Sequence, residues 1–139
     1  MILLQPTYNN TINIALTGKM RSGKDTVAKQ LIKAFEDDSD TRVVMFGFGD
    51  ALKEYAQELF PNKFTDGQKP RHLYQWFGQT MRIQDEDIWI RMAADNINHS
   101  KSFSSLFKNV INVITDLRQP NEYQFCKDNN FIIVKVCLL

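Results

Sequence analysis

Residues 11–35 read TINIALT-GKMRSGKDT-VAKQLIKAF, and the order of these three pieces decides the fold. Thr11 to Thr17 alternates apolar and polar side chains as a strand does, while Val27, Ala28, Leu31, Ile32 and Phe35 recur with helical spacing. Between them lies a loop bracketed by Gly18 and Gly23 and followed by Lys24. A strand, a glycine-bracketed loop with a lysine, then a helix is the context in which a phosphate-loop pattern carries physical meaning. Glycine lets the backbone curl so that successive N–H groups converge on an anion. The helix start adds unpaired N–H groups and the positive end of its dipole. Gly18, Arg21, Ser22, Gly23, Lys24, Asp25 and Thr26 are therefore the candidate phosphate-binding residues, with Lys24 reaching the outer phosphates of a nucleoside triphosphate. The competing interpretation is a glycine-rich turn before an ordinary amphipathic helix; the readable strand and helix on either side weigh against it.

The usual pattern follows the lysine with Ser or Thr, whose hydroxyl ligates magnesium. Here Asp25 stands in that place and Thr26 comes one residue later. Asp25 is a hard oxygen donor suited to magnesium directly or through a water. A carboxylate at a helix start is also favoured by the dipole alone.

The chain has 139 residues, the size of one compact domain, and its hydrophobic share of 43%, with ten Phe, is enough for a real core. Seventeen Lys and Arg against 16 Asp and Glu leave no basic excess, which argues against a nucleic-acid binder or a membrane-surface binder. Cys126 and Cys137 lie in apolar stretches without Cys-x-x-Cys spacing and read as buried, reduced thiols of a cytoplasmic protein. His72 and His99 lack partners at ligand spacing, which argues against structural zinc. Met1-Ile2-Leu3-Leu4 is too short for a signal peptide or a membrane span, and residues 1–10 read as a loose arm.

Further along, Arg42–Phe46, Val110–Ile114 and Phe131–Val136 are short apolar runs of the kind buried on both faces of a parallel sheet. Residues 48–98 carry helical periodicity throughout. One helix starts at Asp50 and is stopped by Pro61; a second carries Leu73, Trp76, Phe77 and Met81, with Trp76 assigned to the core. A third, with Asp85 as its N-cap, carries Ile88, Trp89, Met92, Ala93 and Ile97. His99–Asn109 reads as a connector, and Gln119-Pro120 starts a short helix. Strands alternating with helices predict a parallel α/β sheet in a single domain, 1–139, with a core of 11–47 and 110–139 and a helical insertion at 48–98.

The third strand runs into Thr115-Asp116-Leu117-Arg118. In open parallel sheets ligands bind beyond the carboxyl ends of the strands. Asp116 is therefore expected to face the phosphate loop and hold magnesium-bound water, and Arg118 to offer its planar fork to phosphate oxygens. A buried Asp–Arg pair that only fixes the loop is the structural alternative.

GKMRSGKDT, with Asp after the lysine, resembles the loop of the deoxynucleoside monophosphate kinases of bacteriophages, and the phosphomevalonate kinases of animals have a related loop. Three further stretches fit the phage-type kinases in order and spacing: Phe48-Gly49-Asp50-Ala51-Leu52-Lys53; Gln75-Trp76-Phe77-Gly78-Gln79-Thr80-Met81-Arg82 with Asp85-Glu86-Asp87-Ile88-Trp89; and Asp116-Leu117-Arg118-Gln119-Pro120-Asn121-Glu122. The resemblance implies a P-loop nucleoside monophosphate kinase fold whose helical insertion after strand two binds the acceptor. It implies transfer of the terminal phosphoryl of ATP to a (deoxy)nucleoside monophosphate with Mg2+, for which Asp25 and Asp116 are the candidate holders. Lys24, Arg82 and Arg118 become the catalytic candidates, Arg82 clamping the monophosphate. Gln79 and Trp89 would lie near that phosphate or the base, with Lys53 a further acceptor-side candidate. The implied partners are the two nucleotides, without nucleic acid or membrane, and a homodimer is left open. A kinase for a phosphomevalonate-type or dephospho-coenzyme A-type acceptor, or a nucleotide-binding module without transferase activity, is the alternative. The kinases it resembles continue past the fourth strand into an arginine-bearing lid and a last strand; the sequence stops at Leu139 before either, and truncation is the expected reason, with loss of part of the catalytic apparatus the alternative.

Overall fold

The computed structural model describes residues 1–19, 22–65, 67 and 70–137, so Arg21 of the candidate set lies outside the described residues. Four strands, β1 (Asn10–Thr17), β2 (Thr41–Phe46), β3 (Asn109–Ile114) and β4 (Ile132–Lys135), form one sheet in the order β2-β3-β1-β4. Every pairing is parallel, with Ile14 opposite both Val113 and Ile132, and Val43 opposite Ile111. The helices are α1 (Lys24–Ala34), α2 (Asp50–Leu59), α3 (Arg71–Gln84), α4 (Ile88–Ser104) and α5 (Pro120–Asp128), with a short 3-10 turn at Pro61–Phe64. The parallel α/β architecture expected from the alternating pattern is present.

Side-chain alternation divides the strands between two cores. Leu16, Ile111, Val113, Val43 and Met45 point to one face, where Val27, Ala28 and Leu31 of α1 cover them. Ala15, Phe46 and Ile114 point to the other, beneath Ile90, Ala93, Ala94 and Ile97 of α4 and Phe125 and Cys126 of α5. The chain leaves β1 through α1 toward β2, and leaves β3 through α5 toward β4 in the opposite direction. Two neighbouring strands with diverging exits open a crevice at their carboxyl ends. The glycine loop and the Asp116 segment follow those two strands.

A smaller core joins α2, α3 and the start of α4 through Leu52, Ala56, Phe77 and Trp89. A Cβ at Gly78 would lie 2.5 Å from Leu52 Cδ1 and push that side chain aside; the bare backbone lets α3 sit close on α2.

Several elements depart from the expectation. Asp85 ends α3 instead of capping α4, which begins after Asp87. The Asp85 carboxylate accepts the Asp87 N–H at 3.1 Å and pairs with Arg91, so it braces the turn between the helices. α4 continues through His99–Ser104, where a connector was expected. The serines there do not break it, since Ser102 Oγ donates to the His99 carbonyl at 2.8 Å and is satisfied within the helix. Trp76 is exposed, edge-on to Phe60 at 6.2 Å, and is not a core residue. The first ten residues are no loose arm: Ile2 and Leu4 pack on the main core. The Leu4 N–H donates to Asn129 Oδ1 at 2.8 Å, and Asn129 Nδ2 returns a bond to the Ile2 carbonyl at 3.0 Å. Cys126 is buried as expected, whereas Cys137 is exposed. Among the described residues, no helix is long and apolar enough to cross a membrane.

Candidate functional site

The glycine loop is shaped by what surrounds it. Gly18 has φ +151°, and a Cβ there would lie 2.5 Å from the Val136 carbonyl oxygen and 2.8 Å from Ser22 Oγ, so the chain just beyond β4 seats directly against the loop. Gly23, at φ +97°, stands at the N-cap of α1 in a left-handed conformation. Ser22 is 6% exposed and its Oγ has no hydrogen-bond partner among the described residues. Lys24 is 9% exposed and forms no ion pair among the described residues. A buried hydroxyl without a partner carries an uncompensated desolvation cost, and the Lys24 side chain beside it has no carboxylate to neutralise its charge among the described residues. A phosphate at the α1 N-terminus would satisfy both at once, so the residues present fit such a group. Asp25 and Thr26 are exposed in the first turn of α1, where the Asp25 carboxylate is an available oxygen donor.

The second side of the crevice is tied to the first. Thr17 Oγ1 donates to the Leu117 carbonyl at 2.9 Å, and the Leu117 N–H donates to the Leu16 carbonyl at 3.3 Å. Asp116, between these ties and the end of β3, accepts the N–H of Phe48 at 2.8 Å on Oδ1 and of Gly49 at 3.0 Å on Oδ2. Asp50 accepts the Gly47 N–H at 2.8 Å. The two carboxylates converge on Gly47, where a Cβ would lie 2.8 Å from Asp50 Oδ1 and 3.0 Å from Asp116 Oδ2. Burial, with the Asp116 charge adding to it, holds the Asp50 carboxyl above its ordinary value. Asp116 thus braces the turn after β2, and among the described residues it makes no pair with Arg118. Each of its oxygens keeps a second lone pair for a further donor.

Glu122 organises the Arg118 segment. Its Oε1 accepts the N–H groups of Arg118 and Gln119, both at 2.9 Å, and with Gln119 it completes a capping box at the start of α5. The side chain is 5% exposed, and burial pushes its carboxyl up; the Asp116 charge pushes the same way and the Arg82 charge opposes it.

Lys53, Gln79, Arg82, Asp116 and Arg118 all line one cavity of about 370 Å3, with Tyr74, Gln75 and Glu122 beside them. The five residues singled out in three separate stretches of sequence therefore share one cleft. Arg82 folds back along α3, its Nη1 at 3.6 Å from where a Gly78 Cβ would be. The two acids that follow it in the chain are engaged elsewhere, Asp85 with Arg91 and Asp87 with Asn121 Nδ2 at 3.0 Å. Trp89 is not in the cleft. It is 3% exposed, packs on Phe77 and donates its indole N–H to the Gly78 carbonyl at 3.2 Å, so no face is open for stacking on a base. Besides Phe48, from the turn after β2, the cavity is lined by an aromatic ring of α3, Tyr74. It went unread in the sequence, as did Glu122, although Gln119-x-x-Glu122 has capping-box spacing and Gln75, Gln79 and Arg82 recur on one helix face.

Among the described residues, no group of three or more His, Cys, Asp or Glu side chains is placed to hold a metal ion. A magnesium bound with phosphates needs less, one or two carboxylates, because phosphate oxygens and waters complete its octahedron. No family model matches the chain, and no curated protein matches it in sequence.

Proposed function

We propose that this protein is a P-loop kinase that transfers the terminal phosphoryl group of ATP to a (deoxy)nucleoside monophosphate. One observation carries the proposal: two anion-ready sites stand at the ends of adjacent strands, one at Ser22 and Lys24, the other at Lys53, Arg82 and Arg118, with Thr17 bonded to Leu117 between them. Ser22, Lys24 and the start of α1 hold the donor's phosphates. Arg82 takes the acceptor's phosphate from the last turn of α3, with Lys53 and Gln79 beside it. An oxygen of that phosphate attacks the terminal phosphorus, the bond to the bridging oxygen breaks, and ADP leaves beside a nucleoside diphosphate. No side-chain nucleophile is required, because positioning and charge neutralisation do most of the work in this chemistry. Lys24 and Arg118 supply positive charge from opposite sides of the crevice. Asp25 and Asp116 are the residues that would hold magnesium or its waters, and the metal would supply charge neutralisation at the donor's outer phosphates. ATP use and two unpaired thiols fit a cytoplasmic setting.

The test is phosphate transfer from ATP, with magnesium, to a panel of nucleoside monophosphates. Transfer to at least one is expected, with Lys24→Met inactive. Since that variant breaks no ion pair among the described residues, its melting temperature should change little. No transfer to any acceptor, together with no binding of ATP, would end the proposal. The burial of Trp89 favours one second interpretation, an acceptor without a base to stack, such as phosphomevalonate, and the same assay accommodates it.

A further inference from the structure

The opposite end of the sheet breaks the binary pattern that the rest of the core obeys. On the face covered by α4, the carboxyl-end positions are apolar, with Ala15, Phe46 and Ile114 in the core. Two and four residues earlier the same face carries Asn13 and Thr11 on β1, and Asn112 and then the apolar Val110 on β3. Polar residues at core-facing positions cost stability unless they are paired or used. Asn112 is 4% exposed and donates to its register partner Asn13 at 3.0 Å. Facing them, the second half of α4 presents Asn98, Ser100, Lys101 and Ser104. A cavity of about 330 Å3 lies between the two, within the range of small-ligand sites.

The arm of residues 5–9 closes this cavity. The Gln5 N–H donates to Asn98 Oδ1 at 2.9 Å, Lys101 Nζ donates to the Gln5 carbonyl, and Asn9 Nδ2 donates to the Ser104 carbonyl at 3.0 Å. Among the described residues, Lys101 is the one charged side chain in the lining, and no carboxylate reaches it there. An adjoining recess that shares Lys101 contains Asp128, whose Oδ1 is taken by Gln124 Nε2 at 2.8 Å. The Lys101 ammonium has three donors and spends one on Gln5. Ser100, also in the lining, has its Oγ buried without a hydrogen-bond partner among the described residues.

We infer that this cavity is a second ligand site, separate from the cleft at the carboxyl ends, and that it takes a small oxyanion, the carboxylate or phosphate group of a metabolite, between Lys101, Ser100 and Asn112. The charge of Lys101 selects an anion; the surrounding hydroxyls and amides bond its oxygens. Burial already presses the Lys101 ammonium toward its neutral form, and an anion would relieve that pressure.

Inorganic phosphate and acetate should be titrated into Lys24→Ala protein, which disables the phosphate loop, and followed by 1H–15N NMR. Saturable shifts in amides of 98–104 and 112 are expected with at least one anion, and Lys101→Met should weaken them tenfold or more. Asn112→Leu, which restores the apolar pattern and fills the recess, should do the same and guards against misfolding of the first variant. Response to phosphate alone assigns a phosphate-bearing ligand, to acetate alone a carboxylate, and to both an oxyanion in general. No localised shift, or shifts that survive both cavity substitutions, overturns the inference; Lys101 then only ties down the arm over ordered water. Because the titration is done without a working phosphate loop, failure here leaves the kinase proposal untouched.

Discussion

Arg82 projects from the last turn of α3 with its guanidinium lying over Gly78, and it enters the cleft without an acidic partner among the described residues. If it holds the acceptor's phosphate, losing a bidentate contact from a sequestered site should cost about 2–5 kcal/mol. Arg82→Ala should therefore bind the monophosphate roughly 30-fold more weakly or worse, with ATP affinity little changed. Calorimetry with each nucleotide separately decides it, and equal losses for both would reassign Arg82 to folding. Trp89 marks where residue-level inference from sequence fails. The spacing that would place an indole beside a base also places it in a helix–helix core. What decided between them is the Gly78 carbonyl on another helix, an acceptor that no local pattern announces.

At the scale of elements, α5 is held at its start by a carboxylate that is uncomfortable being charged. A carboxyl whose folded pKa is raised binds its proton more readily in the folded than in the unfolded state. Its contribution to stability is full below the ordinary value of 4.5 and is lost as pH rises through the raised one. Asp50, raised for the same reason, acts in the same direction from its ordinary value of 3.8. Glu122→Gln keeps an accepting oxygen for the Arg118 and Gln119 N–H groups but cannot ionise. Melting curves across the window above pH 4.5 should accordingly fall less steeply with rising pH in the variant. Identical slopes would mean that Glu122 is not the titrating group. The capping box was there to be read in Gln119-x-x-Glu122, and strand and helix types followed from period 2 and period 3.6. The end of α4 did not, because Ser and Lys at 100–105 resemble a loop until Ser102 and Ser105 are seen bonding back to carbonyls one turn earlier.

Across the whole molecule, the amino-terminal arm is part of the fold. Deleting residues 1–8 removes Ile2 and Leu4 from the main core and two bonds to Asn129, a loss of about 2–4 kcal/mol by area and hydrogen-bond magnitudes. Urea unfolding measures it, and an unchanged midpoint would mean that the arm is only draped on the surface. The apolar Ile2 and Leu4 were visible in the sequence. Their docking site was not, since it is built by Asn129 more than a hundred residues away. The gathering of Lys53, Arg82 and Arg118 was partly legible, because parallel strands put all their exit loops at one end of a sheet. The order β2-β3-β1-β4 was not, as no residue pattern names a strand's neighbour.

The contrast between the two thiols has a practical side. Cys126 is fully buried and its thiol is pushed up to about 12, chiefly by burial and further by the Glu122 and Asp116 charges, so it is inert to electrophiles near neutrality. Cys137 is exposed, one residue beyond the carbonyl that rests against Gly18. A maleimide fluorophore should therefore attach at a single place in the native protein, at the rim of the glycine loop, without any cysteine having to be engineered in or out. Its emission should report the arrival of ATP in real time, and Cys137→Ser should take up no dye at all.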